Sequence, residues 1–148
     1  MKNKFESKKP ESRSRWKNFP IKSDKDLVEI RAYGRKLARE IGFNSNDQTL
    51  IATALSEVCR NIIEYAGTGK IIIETAQGSS RGISITAHDH GPGIKDIEKA
   101  LEEGFSTGRG MGIGLPGCRR IMDQFQINSQ AGKGTVVSMH KWVDKNGY

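Results

Sequence analysis

Ser106-Thr107-Gly108-Arg109-Gly110-Met111-Gly112-Ile113-Gly114-Leu115-Pro116 is the stretch around which the chain is organised. Glycines stand at alternate positions 108, 110, 112 and 114. Glycine populates positive φ freely and lets a ligand lie against bare backbone. Each internal Gly costs a helix about 1 kcal/mol relative to Ala, so the run is neither ordinary helix nor ordinary strand. Leu115 to Met122 follows it and reads as the start of a helix with Pro116 in the first turn, where proline is tolerated. A glycine-rich loop that runs into a helix N-terminus offers unpaired N–H groups and the positive end of the helix dipole, a setting for an anion such as phosphate. A flexible linker is the plain alternative, but linkers do not run straight into an amphipathic helix.

Outward from this loop, the elements alternate in a simple order. Residues 15–22 alternate with Phe19 and Ile21 on one side, a first strand placed at a sheet edge by Pro20. Ser23 or Asp24 caps a helix whose apolar positions are Leu27, Ile30, Gly34, Leu37 and Ile41, with Gly42 as its stop. A second helix opens at Ser45 or Asn46, carries Ile51, Leu55, Val58 and Ile62 on one stripe, and runs to about Tyr65 before Gly67-Thr68-Gly69. Lys70–Thr75 and Ile83–Asp89 are β-branched strands joined by a turn at Gln77–Gly82. Ile97–Glu103 is a short helix, Pro116 to about Phe125 a long one, and 126–130 with 135–143 form a closing hairpin about Ala131–Gly134. Long helices grouped with a mostly antiparallel sheet predict an α+β, two-layer α/β sandwich with three main helices on one face.

The 148 residues fit one domain. Of the net charge of +7, a surplus of five belongs to residues 1–18, so the high pI reports a tail and not a basic face. That argues against nucleic acid as a partner. Residues 1–18 are poor in apolar groups and read as a basic, disordered, solvated tail, with the folded domain over 19–148. No run of about 18 apolar residues predicts a membrane span, and no apolar leader follows Met1. Cys59 and Cys118 both fall in helices and read as reduced thiols of a cytoplasmic protein.

Glu57 and Asn61 are four apart on the second helix and share a face beside the apolar stripe, at the border of core and surface. By themselves they could be a solvated pair. Asp89-His90-Gly91-Pro92-Gly93 follows a strand, so that Asp89 projects an acceptor into a cleft floored by bare backbone, suited to an exocyclic amine; the plain reading is a Pro-Gly turn opened by Asp. His88 and His90 have no Cys or third His nearby, which argues against a metal site. Ser56 lacks a nucleophile elbow, and there is no GxxxxGK[ST] motif. Trp16 and Trp142 read as packing residues and not as stacking platforms.

Taken in order, Glu57-Val58-Cys59-Arg60-Asn61, Asp89-His90-Gly91-Pro92-Gly93-Ile94 and Gly108-Arg109-Gly110-Met111-Gly112-Ile113-Gly114-Leu115 resemble the N box and the two glycine boxes of the GHKL (Bergerat) ATP-binding fold, that of gyrase, MutL and histidine kinases. The wording of Leu55–Ile62, Glu103–Thr107 and Gly112–Gly117 is most similar to the anti-sigma-factor serine/threonine kinases, among them the stressosome switch kinases, over residues 20 to 143. The resemblance implies an ATP- and Mg²⁺-dependent protein serine/threonine kinase that phosphorylates STAS-domain partners in a partner-switching pathway. Glu57 would be the general base and Asn61 the magnesium ligand. Asp89 would take the adenine amine, backed by Thr135, with Gly91, Gly93 and Ile94 shaping that subsite. Gly108, Gly110, Gly112 and Gly114 would wrap the phosphates, flanked by Thr107, Met111, Ile113 and Leu115, and Arg109 would add a cationic contact. A phosphatase or a sigma factor are further partners the resemblance allows, and the oligomeric state, a homodimer included, stays open. The alternative is a non-catalytic, nucleotide-dependent module that sequesters a sigma factor or activates a phosphatase by docking.

Overall fold

The structure is a computed structural model that describes residues 15–102 and 114–143. Five strands, β1 (Trp16–Ile21), β2 (Gly69–Gln77), β3 (Arg81–Asp89), β4 (Gln124–Gln130) and β5 (Gly134–Trp142), form one sheet in the order β1-β2-β3-β5-β4. Every neighbouring pair is antiparallel. Pro20 sits on β1, an edge strand, where a missing N–H donor costs the ladder nothing.

The helices are α1 (Asp24–Ile41), α2 (Ser45–Asn61), the four-residue α3 (Ile97–Ala100) and α4 (Gly114–Ile121). The α1 N-terminus is fixed by Asp26, whose Oδ2 accepts the N–H groups of Lys22 at 2.8 Å and Ser23 at 3.2 Å. Gly42 ends it in the left-handed region, with φ +118°. Asn44 caps α2, its Oδ1 accepting Asp47 N–H at 2.8 Å. The apolar stripes of α1 and α2 lie on the sheet face formed by Phe19, Ile21, Ile71, Ile73, Ile83, Ile85, Val137 and Met139, all buried. The result is the two-layer α+β arrangement that the periodicities predict.

Three helix ends differ from expectation: the short helix expected over Ile97–Glu103 stops at Ala100, where Leu101 leaves the helical region. After Asn61 the second helix widens into one turn of π-helix, Ile62–Ala66, closed by Gly67 with φ +87°. The last helix stops at Ile121 and not near Phe125. Asp123 holds the chain to β5 there: its N–H donates to the His140 carbonyl at 2.9 Å, and its Oδ2 accepts Trp142 N–H at 2.8 Å. Phe125 then joins the two-residue alternation of β4. Trp16 is 62 % exposed, against the packing role expected of it, whereas Trp142 lies over Gly82 and stacks on His140.

Candidate functional site

The C-terminal end of α2, the end of β3 and the tip of the β4–β5 hairpin converge at one end of the sheet. Gly69 opens β2 opposite Asp89, and a Cβ there would meet Ile62 Cγ2 at 2.9 Å and the His88 carbonyl at 2.6 Å. A Cβ on Gly91 would lie 2.6 Å from Ala66 Cβ. These glycines let the π turn after Asn61 press directly on the loop after Asp89. A π turn of this kind is a costly irregularity that recurs at functional sites.

Glu57 is more deeply placed than the helix pattern alone indicates. It is 6 % exposed, where a border position was expected. Its Oε2 accepts from Arg60 Nη1 at 2.8 Å and its Oε1 from Gly114 N–H at 3.2 Å. A buried carboxylate needs such partners. The second of them closes a link across the fold, because Gly114 is the last glycine of the run and the first residue of α4. Its φ of +66° is left-handed, which explains why glycine stands there. Arg60 was not singled out from the sequence, although it stands one turn from Glu57. A carboxylate has about four lone-pair sites, so two remain for an incoming donor. Asn61, half-buried, is one helical turn on from Glu57 and presents an amide oxygen, a hard donor of the kind magnesium takes.

Asp89 ends β3, and its Oδ1 accepts Gly91 N–H at 2.8 Å. Its register partner on β5 is Thr135, and the register partner of Thr135 on β4 is Ser129. The three side chains therefore form one row across three strands. Alternation places the row on the helix-covered face, with Ile85 and Ala87, Val137 and Met139, and Phe125 and Ile127. Thr135 is buried, its hydroxyl 2.8 Å from Ser129 Oγ. Ser129 Oγ also accepts Ile94 N–H at 2.7 Å, and Gly132 N–H donates to the Pro92 carbonyl at 2.7 Å. The loop 90–94 is thereby tied to the hairpin. Gly93, with φ +81°, is pressed so close to Gln130 that a Cβ would strike its backbone.

Of the residues expected in the site, the structure brings Glu57, Asn61 and Gly114 to one helix end, and Asp89, Gly91, Gly93, Ile94 and Thr135 to the adjoining strand ends. Leu115 is buried behind Gly114 in α4. Thr107, Gly108, Arg109, Gly110, Met111, Gly112 and Ile113 lie outside the described residues. His88 and His90 pack ring to ring at 4.7 Å, and among the described residues no group of three or more His, Cys, Asp or Glu is placed to hold a metal. Among them, too, no helix is long and apolar enough to cross a membrane.

Comparison with known proteins places this geometry in a family. Residues 20–141 match the family described as histidine kinase-like ATPase domain. The chain is 50 % identical over 124 residues to serine/threonine-protein kinase RsbT of Bacillus subtilis (strain 168), covering 83 % of this chain and 93 % of that one. It is 37 % identical over 101 residues to anti-sigma F factor of Caldanaerobacter subterraneus subsp. tengcongensis, covering 65 % of this chain and 71 % of that protein. The fold is also similar to part of a Mycobacterium tuberculosis chain that holds RsbU and RsbW domains, with TM-score 0.57 at 19 % identity, over 85 % of this chain and 32 % of that one. The chain thus belongs to the histidine kinase-like ATPase domain family, a nucleotide-binding family, and stands within it among the relatives of the anti-sigma serine/threonine kinases.

Proposed function

We propose that this protein is an ATP-dependent protein serine/threonine kinase whose acceptors are STAS-domain proteins of a partner-switching pathway. The observation that carries the reading is the Glu57 carboxylate, buried at the end of α2 and holding the N–H of Gly114 where the glycine run enters α4. An acid in that position lies where phosphates and an attacking hydroxyl meet. ATP is the substrate. The bond between its γ-phosphorus and the oxygen left on ADP breaks, a bond from that phosphorus to a Ser or Thr oxygen forms, and the hydroxyl proton passes to Glu57. Phosphoryl transfer asks a protein mainly for positioning and charge stabilisation, and a positioned base adds typically 10²–10⁴-fold.

Asp89 and Thr135 would receive the adenine edge, with Gly91, Gly93 and Ile94 forming the loop beside it. Thr107, the glycines from 108 to 114, and Met111, Ile113 and Leu115 among them, would enclose the phosphates, with Arg109 as a cationic contact. Asn61 would hold Mg²⁺ by its amide oxygen, and the oxygen chemistry of that donor fits. Magnesium, when bound, supplies charge neutralisation at the phosphates. The two buried free thiols suit a reducing cytoplasm.

The test is a single turnover with labelled ATP and a cognate STAS protein. Glu57→Ala should abolish labelling of the acceptor while nucleotide still binds, and Asn61→Ala should weaken the magnesium-dependent part of binding. Nucleotide binding without labelling of any acceptor by the unaltered chain would instead establish the docking module.

A further inference from the structure

Ser129 makes three contacts with one hydroxyl, and only one arrangement of protons makes all three hydrogen bonds. Its Oγ lies 3.2 Å from the Gly134 carbonyl oxygen, which can only accept, so the Ser129 proton goes there. Its Oγ accepts Ile94 N–H at 2.7 Å. In that arrangement the third contact, 2.8 Å to Thr135 Oγ1, takes its proton from Thr135. The reverse direction would leave the Gly134 contact without a hydrogen. With its proton given to Ser129, the Thr135 hydroxyl faces a ligand as an acceptor only. Asp89, its register neighbour, is an acceptor as well, so this end of the sheet presents two acceptors and calls for a group with two hydrogens, as a C6 amine has; a purine with a carbonyl at C6 brings only its N1–H and an oxygen that repels both.

We propose that Ser129 is a specificity-determining residue: by taking the Thr135 proton it makes the base subsite select a purine with an amine at C6 and reject one with a carbonyl there. Ser129 acts through Thr135 and is a positioning residue. The inference rests on the nucleotide reading above. Without Ser129 the Thr135 hydroxyl turns freely and can donate to a C6 carbonyl, so the penalty on such a base relaxes. Loosening of the Ile94 loop by the same substitution weakens both nucleotides alike and cancels in their ratio.

The experiment is calorimetric titration of the full chain with ADP and with IDP, each in the presence of magnesium. The unaltered chain should prefer ADP. Ser129→Ala should narrow the ADP:IDP ratio of affinities by about tenfold, the worth of one hydrogen bond gained by the wrong base. Ser129→Thr, which keeps the hydroxyl, should preserve the ratio. In a Thr135→Val background the ratio should no longer respond to the residue at 129, a second reading available if Ser129→Ala alone folds poorly. An unchanged ratio in Ser129→Ala, or equal affinities of the unaltered chain for ADP and IDP, overturns the inference while leaving the nucleotide site standing. Failure of the unaltered chain to bind ADP overturns the nucleotide site, and this inference with it.

Discussion

Gly132 and Gly134 sit on one hairpin, both in the left-handed region, yet replacing each by Ala should have different consequences. Their φ values are +79° and +115°. That region costs an L-residue roughly 1–2 kcal/mol. At Gly132 this is the whole penalty, because a Cβ there meets nothing within 4 Å. At Gly134 a Cβ would collide with the Asp89 carbonyl oxygen and lie 2.8 Å from His90 Cα and 3.0 Å from the Asp89 carbonyl carbon. All three are backbone atoms, which cannot rotate aside as a side chain would. Relief requires β5 to part from β3 at this end, an overpacking cost of about 1–3 kcal/mol. Gly134→Ala should therefore cost about 2–5 kcal/mol against about 1–2 kcal/mol for Gly132→Ala. At this chain length each kcal/mol moves Tm by roughly 2–4 °C, so the overpacking difference of about 1–3 kcal/mol should separate the two variants by roughly 2–12 °C in melting followed by circular dichroism. Gly134→Ala should also lose ADP affinity, since the strand that moves carries Thr135 away from Asp89. Equal Tm values for the two variants would refute the close approach of β5 to Asp89.

Two further outcomes follow from the core. Gly34 faces Leu55, whose Cδ1 occupies the space a Cβ would take, with Ile73 Cδ1 at 3.8 Å behind it. Gly34→Ala gains about 1 kcal/mol of helix propensity but overpacks a closed core at a cost of about 1–3 kcal/mol, so it should destabilise slightly. In a Leu55→Ala background the same change should stabilise; chemical denaturation that finds the same sign in both backgrounds rules out the contact. The pKa values of the Cys59 and Cys118 thiols are each pushed up to about 12, chiefly by burial and, for Cys118, also by the nearby Glu57 charge. A neutral alkylating agent at pH 8 should leave both untouched in the folded chain and modify both in denaturant. The folded state holds these protons more tightly than the unfolded one. Their contribution to stability is thus whole below the ordinary thiol range and is lost as pH climbs from there through about 12. A denaturation midpoint that rises over that interval would contradict their burial.

What could be read from the residues alone was whatever is periodic and local. The three- and four-residue spacings of α1 and α2 and the alternation of β2 and β3 translate directly into faces, and faces into two layers. The residue spacing predicts too long a last helix because Phe125 continues the spacing of Cys118 and Met122 while also beginning the alternation of β4. The choice between those periods is made by Asp123, which binds a strand that comes later in the chain. The pattern puts Glu57 at a border because helical phase fixes a direction without saying what covers it, and the covering group, Gly114, lies 57 residues away.

Ser129 and Arg60 are instructive for the opposite reason, since a sequence signal for each existed. Ser129 and Thr135 flank the turn at 131–134 almost evenly, and in an antiparallel hairpin such residues face each other, so two hydroxyls there are a hydrogen-bonded pair in waiting. Arg60 is three residues from Glu57, the spacing of an ion pair on a helix. The row from Asp89 through Thr135 to Ser129 was beyond local reasoning. It exists only because β5 enters the sheet between β3 and β4, so that the last strand of the chain stands beside the one that carries Asp89. Strand order, and not any residue's own propensity, therefore decides which acceptors meet a ligand. A substitution that leaves every motif intact but unseats β5 should abolish nucleotide recognition as thoroughly as losing Asp89 itself.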